Sequence, residues 1–154
     1  MGRTIVIIED NPADAKVMRL ALSRTNSGVE SILFEDSGRA IEYLTMAKNN
    51  HQVPADLILL DLHLPRIDGM EVLQFLKSDD ELRKIPVVVL SGSNARSDVE
   101  RSYAAYANSY ICKPTGIDEL FEMVQHMVTY WFEFATVPRN ADALKTSRAN
   151  SGSR

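Results

Sequence analysis

Cysteine is nearly missing from this chain of 154 residues. Cys112 stands alone, so no disulfide can form within the chain. Inside an apolar run it reads as a small buried hydrophobe. No apolar stretch approaches the roughly 18 residues of a membrane-spanning helix, which argues against a membrane protein. The amino terminus runs straight into an apolar strand-like segment, without the h-region of a secretory signal. A cytoplasmic location follows as the expectation. No Gly-x-Gly-x-x-Gly occurs and no internal repeat is visible. Basic charge is also short: 17 Lys and Arg against 21 Asp and Glu give a net charge of −4, with no basic stripe, so no nucleic-acid partner is expected. What is present is 45% hydrophobic residues, enough to build the core of one globular domain.

Four short apolar runs each end in a polar or charged residue. Thr4-Ile5-Val6-Ile7-Ile8 runs into Glu9 and Asp10, and Leu57-Ile58-Leu59-Leu60 into Asp61. Val87-Val88-Val89-Leu90 runs into Ser91, and Tyr110-Ile111-Cys112 into Lys113-Pro114. Such runs, bounded by turn signals and separated by helical patterns, read as buried parallel strands. A fifth strand is expected over 30–35, with Ile32 and Phe34 on one side. The spacing predicts helices after each strand. Asn11-Pro12 starts the first, Ser37 caps the second, and Pro65 and Gly69 mark the start of the third. Ser97-Asp98 caps a fourth over 98–107, and a fifth runs from 117 to about 134. The first helix is stopped by Asn26-Ser27-Gly28. The fold class is therefore α/β: a doubly wound, five-stranded parallel sheet in a three-layer (βα)5 flavodoxin-like sandwich. Residues 1–137 make one domain. Residues 138–154 lose the apolar period and carry Arg139, Lys145, Arg148 and Arg154 against Asp142, the composition of a disordered tail.

In a parallel α/β sheet the loops beyond the carboxyl ends of the strands form the ligand crevice. Glu9, Asp10, Asp61, Ser91 and Lys113 should converge there. Three carboxylates cannot all stay ionised at close quarters unaided. A hard divalent cation resolves the conflict, and Mg²⁺ takes carboxylate and phosphate oxygens. Three carboxylates, one Mg²⁺ and Lys113 sum to zero charge, so the pocket can accept a phosphoryl group.

Ile8-Glu9-Asp10-Asn11, Asp61-Leu62-His63-Leu64-Pro65 with Asp68-Gly69, Ser91-Gly92 and Tyr110-Ile111-Cys112-Lys113-Pro114 resemble the receiver domains of two-component response regulators, the CheY-like family. The resemblance spans about residues 3–134, and Ser91 and Lys113 follow Asp61 by 30 and 52 residues. It implies that Asp61 is a phosphoacceptor that takes a phosphoryl group from a sensor histidine kinase and loses it by hydrolysis. On this resemblance the protein is a signalling phosphoprotein and not an enzyme with an external substrate. It implies Mg²⁺, which Mn²⁺ can replace, held by Asp10, Asp61 and the backbone carbonyl of His63, with Glu9 acting mainly through water. Lys113 and Ser91 would take two phosphoryl oxygens, and backbone N–H groups near Gly92 and His63 the third. Tyr110 is the implied switch, filling the space that Ser91 leaves. His63, Ser93 and Pro114 line the phosphoryl pocket, and the Lys113–Pro114 bond is implied to be cis. The segment 62–93 and the ending Tyr130-Trp131-Phe132 are similar to stand-alone regulators of phytochrome-type histidine kinases, which implies a bacterial phytochrome as partner.

The last helix places Ile117, Leu120, Phe121, Val124, Val128, Trp131 and Phe132 on a core face. Met123, Met127, Tyr130 and Phe134 form a second apolar stripe beside it. The combined arc is about 200°, wider than the stripe a surface helix needs. A homodimer through the fourth helix, fifth strand and fifth helix is therefore expected, with Tyr103 and Tyr106 at its edge. Coverage by the chain around Val137 is the alternative. Three rivals share the fold type. An aspartate-nucleophile phosphohydrolase of the haloacid-dehalogenase type wants a second acid where His63 stands. A flavodoxin-like nucleotide binder would have to tolerate Glu9-Asp10-Asn11 at its phosphate loop. A phosphorylation-independent interaction module would have no use for the full acidic set.

Overall fold

A computed structural model describes residues 2–25 and 28–138. The expected helix stop at Asn26-Ser27 and the tail 139–154 lie outside the described residues. Five parallel strands, β1 (Arg3–Ile8), β2 (Val29–Phe34), β3 (Leu57–Leu60), β4 (Val87–Ser91) and β5 (Ser109–Cys112), form one sheet in the order β2-β1-β3-β4-β5. The helices are α1 (Pro12–Ser23), α2 (Ser37–Asn49), α3 (Gly69–Ser78), α4 (Arg96–Ala104) and α5 (Ile117–Thr129). A short 3₁₀ turn, Leu82–Lys84, follows α3, and a π turn, Tyr130–Phe134, continues α5.

Strand periodicity of two sorts the apolar runs into two cores. Val6, Ile8, Ile58, Leu60, Val87 and Val89 face Ala40, Leu44, Val72 and Leu76 of α2 and α3. Ile5, Ile7, Leu57, Leu59, Val88 and Leu90 face Met18, Leu22, Leu120, Val124 and Val128 of α1 and α5. Burial on both faces explains why these strands read as continuous apolar runs. The chain switches direction across the sheet between β1 and β3, where Ile8 lies opposite Leu60. That register puts Glu9 and Asp10 beside Asp61.

Several local expectations are corrected. The cap of α2 is Asp36, whose carboxylate accepts from Arg39 N at 3.1 Å, while Ser37 is already helical and buried. The carboxylate, one residue earlier, reaches the third amide of the helix. The fourth helix runs over Arg96–Ala104 and not 98–107, and its cap position, Ala95, offers no side-chain acceptor. The chain turns out of α4 where Tyr106 takes a φ of 68°. Regular α geometry in α5 ends at Thr129, because Ala135 N donates five residues back to Tyr130 O. Cys112 is exposed, since β5 is an edge strand and its last residue clears the helical layers.

On α5, Met127 belongs to the core and leaves the proposed dimer stripe. It follows Leu120 by seven residues, two helical turns, and so shares its face. Ile117, expected in the core, is 70% exposed at the first turn of the helix. Trp131 is half-buried and Phe132 buried, whereas Tyr130 and Phe134 are exposed. Val137 is buried beyond the π turn, yet Phe134 remains 78% exposed, so this part of the chain does not cover the stripe. No cis peptide bond occurs among the described residues, so the Lys113–Pro114 bond is trans. Trans is the ordinary preference of an X–Pro bond, by about 0.5–1 kcal/mol. No helix among the described residues is long and apolar enough to cross a membrane.

Candidate functional site

Glu9 and Asp10 leave the end of β1, and the N–H of Glu9 still bonds to Phe34 O of β2 at 3.0 Å. Asn11 then caps α1, accepting from the N–H groups of Ala13 and Asp14 at 3.0 and 3.1 Å. Its own N–H donates to Glu9 Oε1 at 3.0 Å, which orients the glutamate inward. Asp61 follows β3, and its N–H bonds to Ile8 O at 3.0 Å, joining the two acidic strand ends. Carboxylate oxygens of Glu9, Asp10 and Asp61 all lie within 4.8 Å of one another. Glu9 and Asp61 are buried, and Asp10 forms the open side. Three hard oxygen donors on separate backbone anchors suit a divalent cation of the Mg²⁺ or Mn²⁺ kind.

Lys113 enters from the end of β5. Its N–H bonds to Ser91 O at 2.7 Å, which fixes the departure of the chain from the strand. The ammonium lies 2.6 Å from Glu9 Oε2, 3.1 Å from Asp14 Oδ2 and 3.5 Å from Asp61 Oδ2. Burial pushes the Glu9 carboxyl up to about 7, with the Asp61 charge adding to the rise and the bond from Lys113 opposing it. For Lys113, burial acts downward, but the hydrogen bond and charge of Glu9, with Asp61 and Asp14, outweigh it and hold the pKa above the ordinary value. The pocket's own side chains thus place one ammonium among several acids.

The loop after β3 is fixed by a close approach. A Cβ on Gly69 would sit 2.1 Å from Asp61 O and 2.5 Å from Leu62 Cα, so only glycine fits at the start of α3. The Gly69 N–H bonds to Leu62 O at 2.9 Å, and Asp68 caps the helix through the same N–H at 2.8 Å. His63 N donates to Asp61 Oδ1 at 3.3 Å, and the His63 side chain stands exposed at the rim.

Ser91 is fully buried at the end of β4. Its Oγ accepts from Ser93 N at 3.2 Å. Tyr110 is half-buried, and its hydroxyl donates to Ser93 O at 2.7 Å. Space beside Gly92 is open, since a Cβ there would meet nothing within 4 Å. Pro114 is half-buried next to Lys113. The sequence-predicted residues Glu9, Asp10, Asp61, Ser91 and Lys113 therefore meet at one end of the sheet, with His63, Gly92, Ser93 and Tyr110 on its border. Tyr103 and Tyr106, by contrast, lie at the exposed end of α4.

Two residues of the site escaped the sequence reading. Asp14 is the second partner of Lys113; its place one helical turn past Asp10 was the available signal. Asp98 accepts from Ser93 Oγ at 2.6 Å and lies 3.8 Å from His63 Nε2. Its reading as a cap of α4 hid this contact.

Known proteins resemble this chain in sequence and fold. Residues 5–125 match the response regulator receiver domain family. The response regulator Rcp1 of Synechocystis sp. is 36% identical over 137 residues, covering 88% of this chain and 93% of that protein. The crystal structure of the Mn²⁺-bound form of Rcp1 superposes with a TM-score of 0.82, covering 88% of this chain and 99% of that one. The crystal structure of the phosphorylated cyanobacterial phytochrome response regulator RcpA superposes with a TM-score of 0.84 at 38% identity, covering 90% of this chain and 99% of that one. The five-stranded parallel sheet thus has its counterpart in response regulators, and the chain belongs to the response regulator receiver domain family.

Proposed function

We propose that Asp61 is the phosphoacceptor of this receiver, and that the receiver comprises residues 1–137. The observation that carries the reading is Lys113 Nζ at 3.5 Å from Asp61 Oδ2, inside a cluster of three carboxylates. An Asp61 oxygen attacks the phosphorus of a kinase phosphohistidine. The P–N bond breaks, the imidazole leaves with its electron pair, and an acyl phosphate remains. Asp10, Asp61 and the His63 carbonyl are the proposed direct ligands of Mg²⁺, for which Mn²⁺ can stand in, and Glu9 assists through water. The cation supplies charge neutralisation for the acids and the entering phosphoryl oxygens.

Lys113 then exchanges its contact with Glu9 and Asp14 for a phosphoryl oxygen. Ser91 donates its hydroxyl to a second oxygen, and N–H groups near Gly92 and His63 serve the third. Drawing Ser91 inward vacates space beside the Tyr110 ring, and the surface of α4, β5 and α5 repacks. This is a shift between two populations, biased by one new charge. Hydrolysis of the acyl phosphate resets the site, so the protein acts as a cytoplasmic signalling switch without an external substrate of its own.

The kinase is proposed to be of the phytochrome type, in keeping with the likeness to RcpA. A homodimer through α4, β5 and α5 is proposed from the exposure of Tyr103, Tyr106, Tyr130 and Phe134, with half-buried Met123 between the core and that stripe. Transfer assays from phytochrome-type and unrelated histidine kinases, ranked by rate under light and dark, test the pathway. Faster transfer from a light-controlled kinase supports it; equal or faster transfer from unrelated kinases defeats it.

A further inference from the structure

The Lys113 ammonium has three N–H groups to place, and it meets three carboxylates. They are Glu9 Oε2 at 2.6 Å, Asp14 Oδ2 at 3.1 Å and Asp61 Oδ2 at 3.5 Å. Glu9 and Asp61 belong to the cluster of acids whose oxygens lie within 4.8 Å of one another, and Asp14 does not. Asp14 stands in the first turn of α1, one helical turn past Asp10. Asn11 fixes that turn by accepting from Asp14 N at 3.1 Å. The side chains of Glu9 and Asp61 are 1% and 8% exposed, and that of Asp14 is 31% exposed. One ammonium is therefore divided between two buried acids that are candidate metal ligands and one partly solvated acid that is not.

We propose that Asp14 is a positioning residue that draws the Lys113 ammonium away from Glu9 and Asp61, and so sets how tightly the pocket binds its divalent cation. The inference rests on Glu9, Asp10 and Asp61 being the metal site. A carboxylate that shares its charge with an ammonium attracts a metal ion less, and the two positive charges repel each other. The proposed phosphoryl transfer needs both of them, on different oxygens of one group. Asp14 offers Lys113 a negative partner that is not itself a metal ligand. Because it lies outside the cluster, it can keep one N–H of Lys113 engaged while the other acids serve a cation. The coupling is reciprocal: if Asp14 favours metal binding through Lys113, metal binding strengthens the Asp14–Lys113 contact by the same factor. A carboxylate that only complemented the amino-terminal end of α1 would have no such link to the metal.

The test is a double-variant cycle read by calorimetric titration with Mg²⁺ in about 0.15 M salt, where solvated charges are largely screened. The proteins are the unaltered chain, Asp14→Asn, Lys113→Met and the double variant. Asp14→Asn is expected to bind Mg²⁺ about three- to tenfold more weakly than the unaltered chain, because the ammonium then leans wholly on Glu9 and Asp61. In the Lys113→Met background the same change is expected to cost no more than about twofold, the loss of a screened charge alone. An equal loss in both backgrounds shows that Asp14 acts as a bare charge, and it overturns the proposal. A lower melting temperature with unchanged Mg²⁺ affinity shows a merely structural role and overturns it too. Side-chain NMR gives a second readout: the Lys113 ε-methylene signal should move further on adding Mg²⁺ in Asp14→Asn than in the unaltered chain. Equal movement in the two proteins counts against the proposal. If the unaltered chain binds no Mg²⁺, or if Asp10→Asn binds it undiminished, the metal site itself is lost and the proposal with it.

Discussion

Lys113 Nζ lies 2.6 Å from Glu9 Oε2, and this pair links the last strand of the sheet to the first. It also makes the ammonium a competitor for the space a divalent cation needs. Replacement by Met should leave the metal ligands in place while removing that competition. Lys113→Met is expected to bind Mg²⁺ several-fold more tightly by calorimetry. Its phosphorylation by acetyl phosphate should fall at least about tenfold, because a charge facing the developing phosphoryl oxygens is gone. A parallel loss of both properties would mean that Lys113 only shapes the pocket.

The same pair sets a pH dependence. Glu9 is raised from an ordinary 4.5 to about 7, chiefly by burial. Between those values the folded chain keeps a proton that the unfolded chain has released. Metal-free stability must therefore fall as pH rises through that window, by at most about 3 kcal/mol. Urea unfolding at a series of pH values that brackets the window on both sides reads the slope directly. Glu9→Gln should flatten it. A stability that rises over the window would contradict the upward shift that burial gives the Glu9 carboxyl.

Gly69 gives a steric prediction. A methyl group there would lie 2.1 Å from Asp61 O, a contact that only backbone movement can relieve. Gly69→Ala is expected to lose about 1–3 kcal/mol of stability by overpacking. Because the displaced atom belongs to Asp61, phosphorylation should slow even at temperatures where the variant stays folded. Full activity in a folded Gly69→Ala protein would show that the clamp does not position the acid.

The exposed aromatics of the π turn test the assembly. Phe134 is 78% exposed and Tyr130 56%, four residues apart. Phe134→Glu should leave stability within about 0.5 kcal/mol, as expected for a surface change away from the core. Sedimentation over a concentration series should then show a monomer where the unaltered protein forms a dimer. A monomer in the unaltered protein, with and without beryllium trifluoride, would count against the dimer itself.

The sheet and the acidic pocket were legible because both follow from short-range rules. Runs such as Leu57-Ile58-Leu59-Leu60 fit only a strand buried on both faces, and their polar ends mark the crevice. Positions decided by competition between neighbours were not legible. Asp36 and Ser37 are both good caps, and only the backbone shows that the acid reaches Arg39 N. Helical spacing placed Ile117 in the core, but the first turn of α5 projects past the layers that would cover it. Apolar residues beside the core face suggest an outer stripe that includes Met127, yet its two-turn offset from Leu120 puts it in the core. The Ser93–Asp98 contact lay beyond reach for a different reason. Its two residues are separated by a loop whose shape is set by β4 and α4 together.

The central claim is that Asp61 carries the phosphoryl group. Intact-protein mass spectrometry after incubation with acetyl phosphate and Mg²⁺ tests it most directly. The account predicts one added phosphoryl group, removed by chelation of the metal before mixing and lost in Asp61→Asn. An unmodified mass in the unaltered protein, or an equal adduct in Asp61→Asn, would contradict it.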